Sequence, residues 1–359
     1  MSIIDMKEFG LSQRFSAEAT LYAGLYIGRI ISQYKNLYKV ITEHGEITAE
    51  ISGKFRFDVK VLSDYPAVGD FVMLDRNEDL NGNAIIHKVL TRKSAFIRKA
   101  PGTSDGEQIV AANIDTIFIC MSLNNDFNLR RVERYLGIAW DSGAIPVIVL
   151  TKADLCDNLP EKLEEIDTVA CGVDVLVTSS MGDDGYLSVN GYLGYGKTIA
   201  FIGSSGVGKS TLINKLIGED TLKTKEIRND DKGRHTTTRR EMISLPSGGV
   251  VIDTPGMREL GIDRADLSKT FADIDELSTK CKFNDCTHSG EPSCAVQKAI
   301  NEGLLTEDRL ASFRKLRKEV KYEGLNSRQI ETEKITAMFK EAGGIKNAKR
   351  LIREKNKKR

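Results

Sequence analysis

Residues 20–95 carry short alternations of hydrophobic and polar positions, over 25–32, 36–42, 46–52, 70–75 and 84–90. Gly and Asn punctuate them at Asn36, Gly45 and Asn81-Gly82-Asn83. A period of two bounded by turn residues predicts strands. Five strands in so short a stretch suit a small all-β barrel, and the OB-fold is the expected form. Tyr22, Tyr26, Tyr34, Tyr38 and Tyr65 fall here, beside Arg29, Lys35, Lys39, Lys54 and Arg56. Aromatics interleaved with cations suit stacking on unpaired bases. The competing reading is ordinary strand residues, because tyrosine favours strands anyway.

Residues 98–112 read as a linker, and beyond them the period changes. Continuous apolar runs occupy 116–121, 146–150, 173–178, 198–202, 241–245 and 250–253. Runs of this length fit strands covered on both faces. Val132, Leu136 and Ala139 sit at helical spacing within 129–140, which predicts a helix between the first two strands. The expectation is an α/β domain with a mainly parallel sheet. Trp140, the lone Trp, is expected to pack there. From about residue 270 the chain reads as helical and basic, interrupted by a Cys/His cluster. The expected division is a barrel domain over 1–97, an α/β domain over 98–268 and a helical domain over 269–359.

Composition narrows the class. With 40% hydrophobic and 29% charged residues, the chain can bury cores, so wholesale disorder is excluded. Fifty-two Lys/Arg against 51 Asp/Glu exclude a uniformly basic binder. The charge is uneven, however: residues 346–359 sum to +7, leaving −6 elsewhere. Residues 309–321 add six Lys/Arg and one Glu. Such runs suit nucleic-acid phosphates, or else a solvated helix face or frayed tail. Six Cys are too few and too unevenly placed for a disulfide scaffold. No apolar run is long enough to cross a bilayer, and MSIIDMKEFG lacks the features of a signal peptide. A cytosolic protein without membrane partners is expected.

Gly203-Ser204-Ser205-Gly206-Val207-Gly208-Lys209-Ser210 follows an apolar run and precedes a helix-compatible stretch opening at Thr211. This is a phosphate loop in its required context. The glycines let successive N–H groups curl round an anion, and the helix N-terminus adds a favourable dipole. Lys209 is expected to reach the β- and γ-phosphates, and Ser210 to ligate Mg²⁺. Asp253-Thr254-Pro255-Gly256 ends another run; Asp253 would hold Mg²⁺ through water and the Gly256 N–H would meet the γ-phosphate. Thr151-Lys152-Ala153-Asp154 ends a third. A carboxylate at Asp154 can accept from guanine N1–H and N2–H together, which favours GTP over ATP. The Lys152 stem would lie along the base, and Ser179-Ser180 would complete its contacts. Thr151 stands where Asn is commonest; it keeps a hydroxyl donor but lacks the amide that braces neighbouring loops, so weaker affinity is expected.

The order of these segments is informative. The base motif and Ser179-Ser180 precede the phosphate loop and Asp253–Gly256, the reverse of Ras-like GTPases. This order is that of a circularly permuted GTPase, which a packed sheet tolerates. The segment 232–239, between phosphate loop and Asp253, is placed as a switch. One of Thr236, Thr237 and Thr238 should ligate Mg²⁺; the sequence does not choose, and Thr237 is carried as the candidate. Met257 occupies the position of the water-orienting Gln. His235 is therefore a candidate for positioning or activating the water, against a role in contacting phosphate or RNA beside Arg234, Arg239 and Arg240.

Cys281, Cys286, His288 and Cys294 place four soft or borderline ligands within 14 residues. Three thiolates and an imidazole suit one tetrahedral Zn²⁺, and a closed shell suits a structural ion.

Together, GSSGVGKS at 203–210, GRHTTT at 233–238, DTPG at 253–256 and the Cys/His cluster resemble the RsgA (YjeQ/YloQ) family across essentially the whole chain. The resemblance implies an N-terminal OB-fold barrel, a central permuted GTPase and a C-terminal helical zinc domain. It implies a monomeric GTPase that binds the small (30S) ribosomal subunit and its rRNA late in assembly, with hydrolysis stimulated by the subunit. It also places His235 in the water-activating role, and Lys209, read from the phosphate loop itself, is carried as the second catalytic candidate. A zinc RNA-binding protein holding GTP or GDP as a structural ligand is the alternative from another class. An ATP-dependent kinase is a further rival, and Asp154 speaks against it.

Overall fold

The computed structural model describes residues 3–34, 37–78, 82–99, 107–124, 126–179, 185–218, 240–253 and 267–321. The predicted strands of the first region form as β1 (Tyr26–Gln33), β2 (Tyr38–Thr42), β3 (Gly45–Ile51), β4 (Phe71–Leu74) and β5 (Ala84–Val89). β1 pairs with both β2 and β4, so the order β1-β2-β3-β5-β4 closes on itself. β3 and β5 run parallel; the other neighbours are antiparallel. Closure removes the sheet edges, and Ile30, Val40, Ile47, Val72, Leu74 and Ile86 fill the interior. Helix α1 (Gln13–Ala19) packs Phe15 on Phe71, with ring centroids 4.4 Å apart. Helix α2 (Gly53–Asp58) starts at Ser52, whose hydroxyl accepts the Phe55 N–H at 2.9 Å.

Two residues of the expected base-stacking set have other work. Tyr38 is buried in the barrel core, and Arg29 is completely buried. The Arg29 guanidinium bonds the carbonyls of Phe9, Gly69 and Asn113 and the hydroxyl of Thr198, which lies at the junction with the next sheet.

The expected linker contains structure. β6 (Ala95–Lys99) and β7 (Glu107–Ala112) pair antiparallel. Phe96, Val110 and Ala111 belong to the same core cluster as Ile30 of the barrel and Ile117 beyond it. The two strands of this ribbon thus lie within or beside the stretch that reads as a linker.

The second sheet comprises β8 (Thr116–Ser122), β9 (Ile145–Thr151), β10 (Asp174–Val177), β11 (Thr198–Ile202), β12 (Arg240–Ser244) and β13 (Val250–Asp253). Its order is β10-β9-β8-β11-β13-β12, parallel except for β12 against β13. Alternate residues enter opposite cores. Ile117, Ile119 and Met121 of β8 face one side, and Phe118 and Cys120 the other. Helix α3 (Leu129–Ser142) covers the first side with Val132, Tyr135, Leu136 and Ala139, the i, i+3, i+4, i+7 spacing of an apolar stripe. Helix α4 (Leu159–Asp167) contributes Ile166 to the same side. Helix α5 (Lys209–Ile217) covers the second with Leu212, Ile213 and Leu216. The two sheets are continuous through an antiparallel contact of β1 with β12.

The C-terminal region packs α6 (Leu267–Thr270), α7 (Ala272–Ser278), α8 (Ala295–Asn301) and α9 (Glu307–Lys321) round Phe271, Ile274, Val296, Leu310 and Phe313. Arg309, in the basic stretch, is not on a solvated face; it is buried and bonded to Glu133 of α3 at 2.9 Å. Trp140 packs against the core as expected, with the Lys269 ammonium 5.0 Å from the ring centroid. Among the described residues no helix is long and apolar enough to cross a membrane.

Candidate nucleotide and metal sites

Parallel strands deliver their following loops to one edge of the sheet, where α/β proteins bind ligands. β9, β11 and β13 end there with Thr151, Ile202 and Asp253. Gly203 leaves β11 with φ +149°, and a Cβ there would lie 2.6 Å from the Cys120 carbonyl oxygen. Gly208 enters α5 with φ +100°. Glycine alone satisfies both demands without strain. The loop between them brings Ser204, Ser205, Gly206 and Val207 round to the N-terminus of α5. Lys209 folds back over this loop and donates to the carbonyls of Gly203 at 2.7 Å and Ser204 at 2.6 Å. Ser210 and Thr211 occupy the first turn of the helix, half-buried. Asp253 stands on the neighbouring strand end, since Ala200 pairs with Ile252.

The base motif touches this loop directly. The Thr151 hydroxyl donates to the Val207 carbonyl at 2.5 Å. The hydroxyl donor that Thr151 keeps thus reaches the phosphate loop itself. Lys152 adopts a left-handed conformation, φ +58°, which turns the chain into the single turn Ala153–Leu155. The Ser179 hydroxyl donates to Asp154 Oδ1 at 2.5 Å. Thr151, Lys152, Ser179, Gly208, Thr211 and Tyr186 line one narrow cleft. The sequence-predicted base and phosphate residues are therefore brought together at one edge. Ser180, His235, Thr237 and Gly256 lie outside the described residues, as do Thr236, Thr238 and Met257.

Sequence reasoning missed a contact beside the loop. Asp126 and Arg131 follow β8, the strand next to β11. Arg131 Nη1 donates to Asp126 Oδ2 at 2.7 Å and to the Ser204 hydroxyl at 3.0 Å. The Ser204 hydroxyl donates to Asp126 Oδ2 at 2.8 Å. The Arg131 hydrogen bond, reinforced by Ser204, holds the Asp126 carboxyl below its ordinary pKa. The available signal was a polar loop, 124–128, at the carboxyl end of a strand beside the phosphate-loop strand.

Cys281, Cys286, His288 and Cys294 converge with their ligand atoms all within 4.8 Å of one another. Cys281 Sγ lies 3.9 Å from Cys294 Sγ, and His288 Nδ1 lies 3.7 and 3.5 Å from these sulfurs. A tetrahedral ion with metal–sulfur bonds of about 2.3 Å sets sulfur–sulfur edges near 3.8 Å. The residues fit such an ion. His288 Nε2 faces the Ser278 hydroxyl at 3.1 Å, and that hydroxyl donates to the Ile274 carbonyl at 2.7 Å. The serine therefore accepts the Nε2 proton, which leaves the Nδ1 lone pair for metal. Glu291 takes the backbone N–H groups of Thr287 at 2.8 Å and Ser289 at 2.6 Å, fixing both neighbours of His288. His288 itself has φ +60°, a conformation that the surrounding bonds must hold.

A sheet ordered as in P-loop GTPases but entered three strands early, with base and phosphate segments in contact, defines a circularly permuted GTPase. A family profile described as RsgA GTPase matches residues 89–263. The "Small ribosomal subunit biogenesis GTPase RsgA 2" of Lactiplantibacillus plantarum is 52% identical over 349 residues, 97% of each chain. A protein of Methanosarcina acetivorans named "Small ribosomal subunit biogenesis GTPase RsgA" is 42% identical over 338 residues, 92% of this chain and 90% of the relative. The crystal structure of YjeQ from Thermotoga maritima is 27% identical with a TM-score of 0.62, covering 82% of this chain and 98% of that one. That of YloQ, titled a circularly permuted GTPase, is 26% identical with a TM-score of 0.60, covering 84% and 96%. The chain belongs to the RsgA GTPase family.

Proposed function

We propose that the protein hydrolyses GTP on the small ribosomal subunit during its maturation. The observation that carries the nucleotide reading is the Thr151–Val207 hydrogen bond, which sets the base motif against the phosphate loop. Asp154 accepts from the guanine edge, Lys152 lies along the base, and Ala153, Ser179 and Ser180 complete its surroundings. The N–H groups of 203–211 surround the phosphates, and Gly256 meets the γ-phosphate. Lys209 exchanges the neutral carbonyls of Gly203 and Ser204 for anionic phosphate oxygens, a charge-assisted pairing. Ser210, Asp253 and Thr237 are the residues that would hold Mg²⁺, whose positive charge offsets that of the phosphates. His235 orients the attacking water. Its oxygen bonds to the γ-phosphorus, the bond to the β–γ bridging oxygen breaks, and GDP and inorganic phosphate leave.

The four-ligand cluster holds one structural Zn²⁺ in this reading, since three thiolates and an imidazole suit that ion. The small subunit and its rRNA are the partners, met in the cytoplasm by a monomer. Relatives bearing the small-subunit biogenesis name at 40–52% identity support the subunit as partner. Titration with a fluorescent guanine nucleotide, with ATP and GTP as competitors, tests the nucleotide reading. GTP should displace the probe and ATP should not, and Lys209→Ala should weaken binding. Equal displacement by ATP, or a Lys209→Ala variant that binds normally, contradicts it.

A further inference from the structure

Helix α3 touches the phosphate loop at its first turn and the C-terminal helices along its flank. Its N-cap, Asn128, accepts the Arg131 N–H at 3.0 Å, which fixes where Arg131 leaves the helix. Arg131 and Asp126 then hold the Ser204 side chain in a closed triangle of hydrogen bonds of 2.7, 2.8 and 3.0 Å. Ser204 is gripped twice, because Lys209 bonds its carbonyl from inside the loop. When Lys209 turns to phosphate, the Asp126–Arg131 grip is what keeps this corner of the loop in place.

Two residues further along, on the far side of the helix, Glu133 is fully buried. Its carboxylate accepts from Arg309 at 2.9 Å and Ser312 at 2.6 Å, both on α9, and from Arg130 at 2.6 Å. Arg309 also forks onto Asp273 at 2.6 and 2.9 Å and bonds the Thr270 carbonyl at 3.0 Å. Arg134, one residue on, pairs with Glu319 at 3.0 Å. Buried charges with several fixed partners do not slide: the arrangement is either made or broken. α9 also contributes Arg314, which donates to the carbonyl of the metal-cluster residue His288. One hydrogen-bonded helical turn therefore lies between the loop and a region organised round the Cys/His cluster.

We propose that Arg131 is a positioning residue of the phosphate loop, and that α3 makes its position depend on how the metal-bearing helices are seated. A displacement of α9 acts on Glu133, turns the first turn of α3, and loosens or tightens Ser204. This rests on the reading of 203–210 as the nucleotide site. The coupling is reciprocal, so nucleotide occupancy biases the seating of α9.

The test is a double-mutant cycle on GDP affinity in the full chain, with GTP kcat and KM and the thermal midpoint measured in parallel. Arg131→Ala should weaken GDP binding about five- to tenfold, and Arg131→Lys should recover part of the loss. Ser312→Ala, which touches no loop residue and removes only one hydrogen bond, should weaken binding about two- to threefold and raise KM. Combined with Arg131→Ala it should add little. Glu133→Gln should act in the same direction, and Ser312→Ala carries the test if that variant does not fold. Unchanged GDP affinity and KM in Ser312→Ala, or additive losses in the double variant, overturn the proposal. Lys209→Ala separates the two levels: if it binds GDP normally the nucleotide reading fails, whereas normal Lys209 dependence with an inert Ser312→Ala sinks the coupling alone.

Discussion

The Thr151 hydroxyl donates to the Val207 carbonyl at 2.5 Å, joining the end of β9 to the phosphate loop across 56 residues of sequence. Thr151 is buried, so deleting the donor leaves an unsatisfied carbonyl. Such a deletion costs roughly 1–3 kcal/mol. Thr151→Val should weaken GTP and GDP together by at least about fivefold, and Thr151→Ser should retain most of the affinity. Isothermal titration of the three proteins measures this; a Thr151→Val variant with unchanged affinity means the bond does not shape the loop.

Asp154 carries base selectivity in the proposed site. Replacing a charged acceptor of two hydrogen bonds costs about 1.5–3 kcal/mol or more. Asp154→Asn should therefore lose GTP affinity at least about tenfold while gaining affinity for XTP, whose base offers a carbonyl where guanine has an amine. Competition between the two nucleotides reads the switch directly. Parallel loss of both would point to a disturbed loop instead.

Thiol counting tests the metal cluster. Cys171 is exposed and Cys156 half-buried, whereas burial pushes the Cys120 thiol up to about 12. The thiolate is the reactive form, so Cys120 should stay unreactive until the chain unfolds. In the metal-loaded protein, Cys281, Cys286 and Cys294 should be protected. Chelation should release one zinc per chain and expose these three thiols to alkylation, as read by mass spectrometry. Ready alkylation of Cys294 without metal release would contradict the site.

Arg29 ties the barrel to the nucleotide-binding sheet through buried bonds to Gly69, Asn113 and Thr198. Burial lowers its pKa to about 10, so it remains a cation at neutral pH. Arg29→Leu strands several buried acceptors and should cost about 3 kcal/mol or more. Thermal unfolding should show a lower midpoint, whereas Tyr26→Ala, at an exposed position, should leave it nearly unchanged.

What could be read in the sequence, and what could not, follows from the range of each interaction. The strands of both sheets were legible because alternation and apolar runs are local patterns. The Cys281–Cys294 cluster was legible because its ligands lie within 14 residues. Arg29 looked like a nucleic-acid contact because its partners at Asn113 and Thr198 are 84 and 169 residues away. Glu133 and Arg309 are 176 apart, so nothing marked them as a pair. The β6–β7 ribbon was hidden because the Gly-, Pro- and Ser-bearing sequence between its strands reads as a linker. Thr151 was legible as part of a base motif but not as a brace, since only the packed loop shows where its hydroxyl goes.

We propose a GTPase whose turnover the small ribosomal subunit controls. By sequence position, Met257 stands where Ras-like enzymes carry a water-orienting Gln, which in the proposed reading leaves that role to be completed on the subunit. A partner that fixes the missing group can raise the rate by about 10³–10⁵. The decisive measurement is GTP turnover by the full chain with and without purified small subunits, at two salt concentrations, for the wild type and His235→Ala. Turnover should be slow alone and strongly stimulated by subunits, less so as salt rises, and His235→Ala should lose most of the stimulation while keeping nucleotide binding. Equal rates with and without subunits would contradict the account.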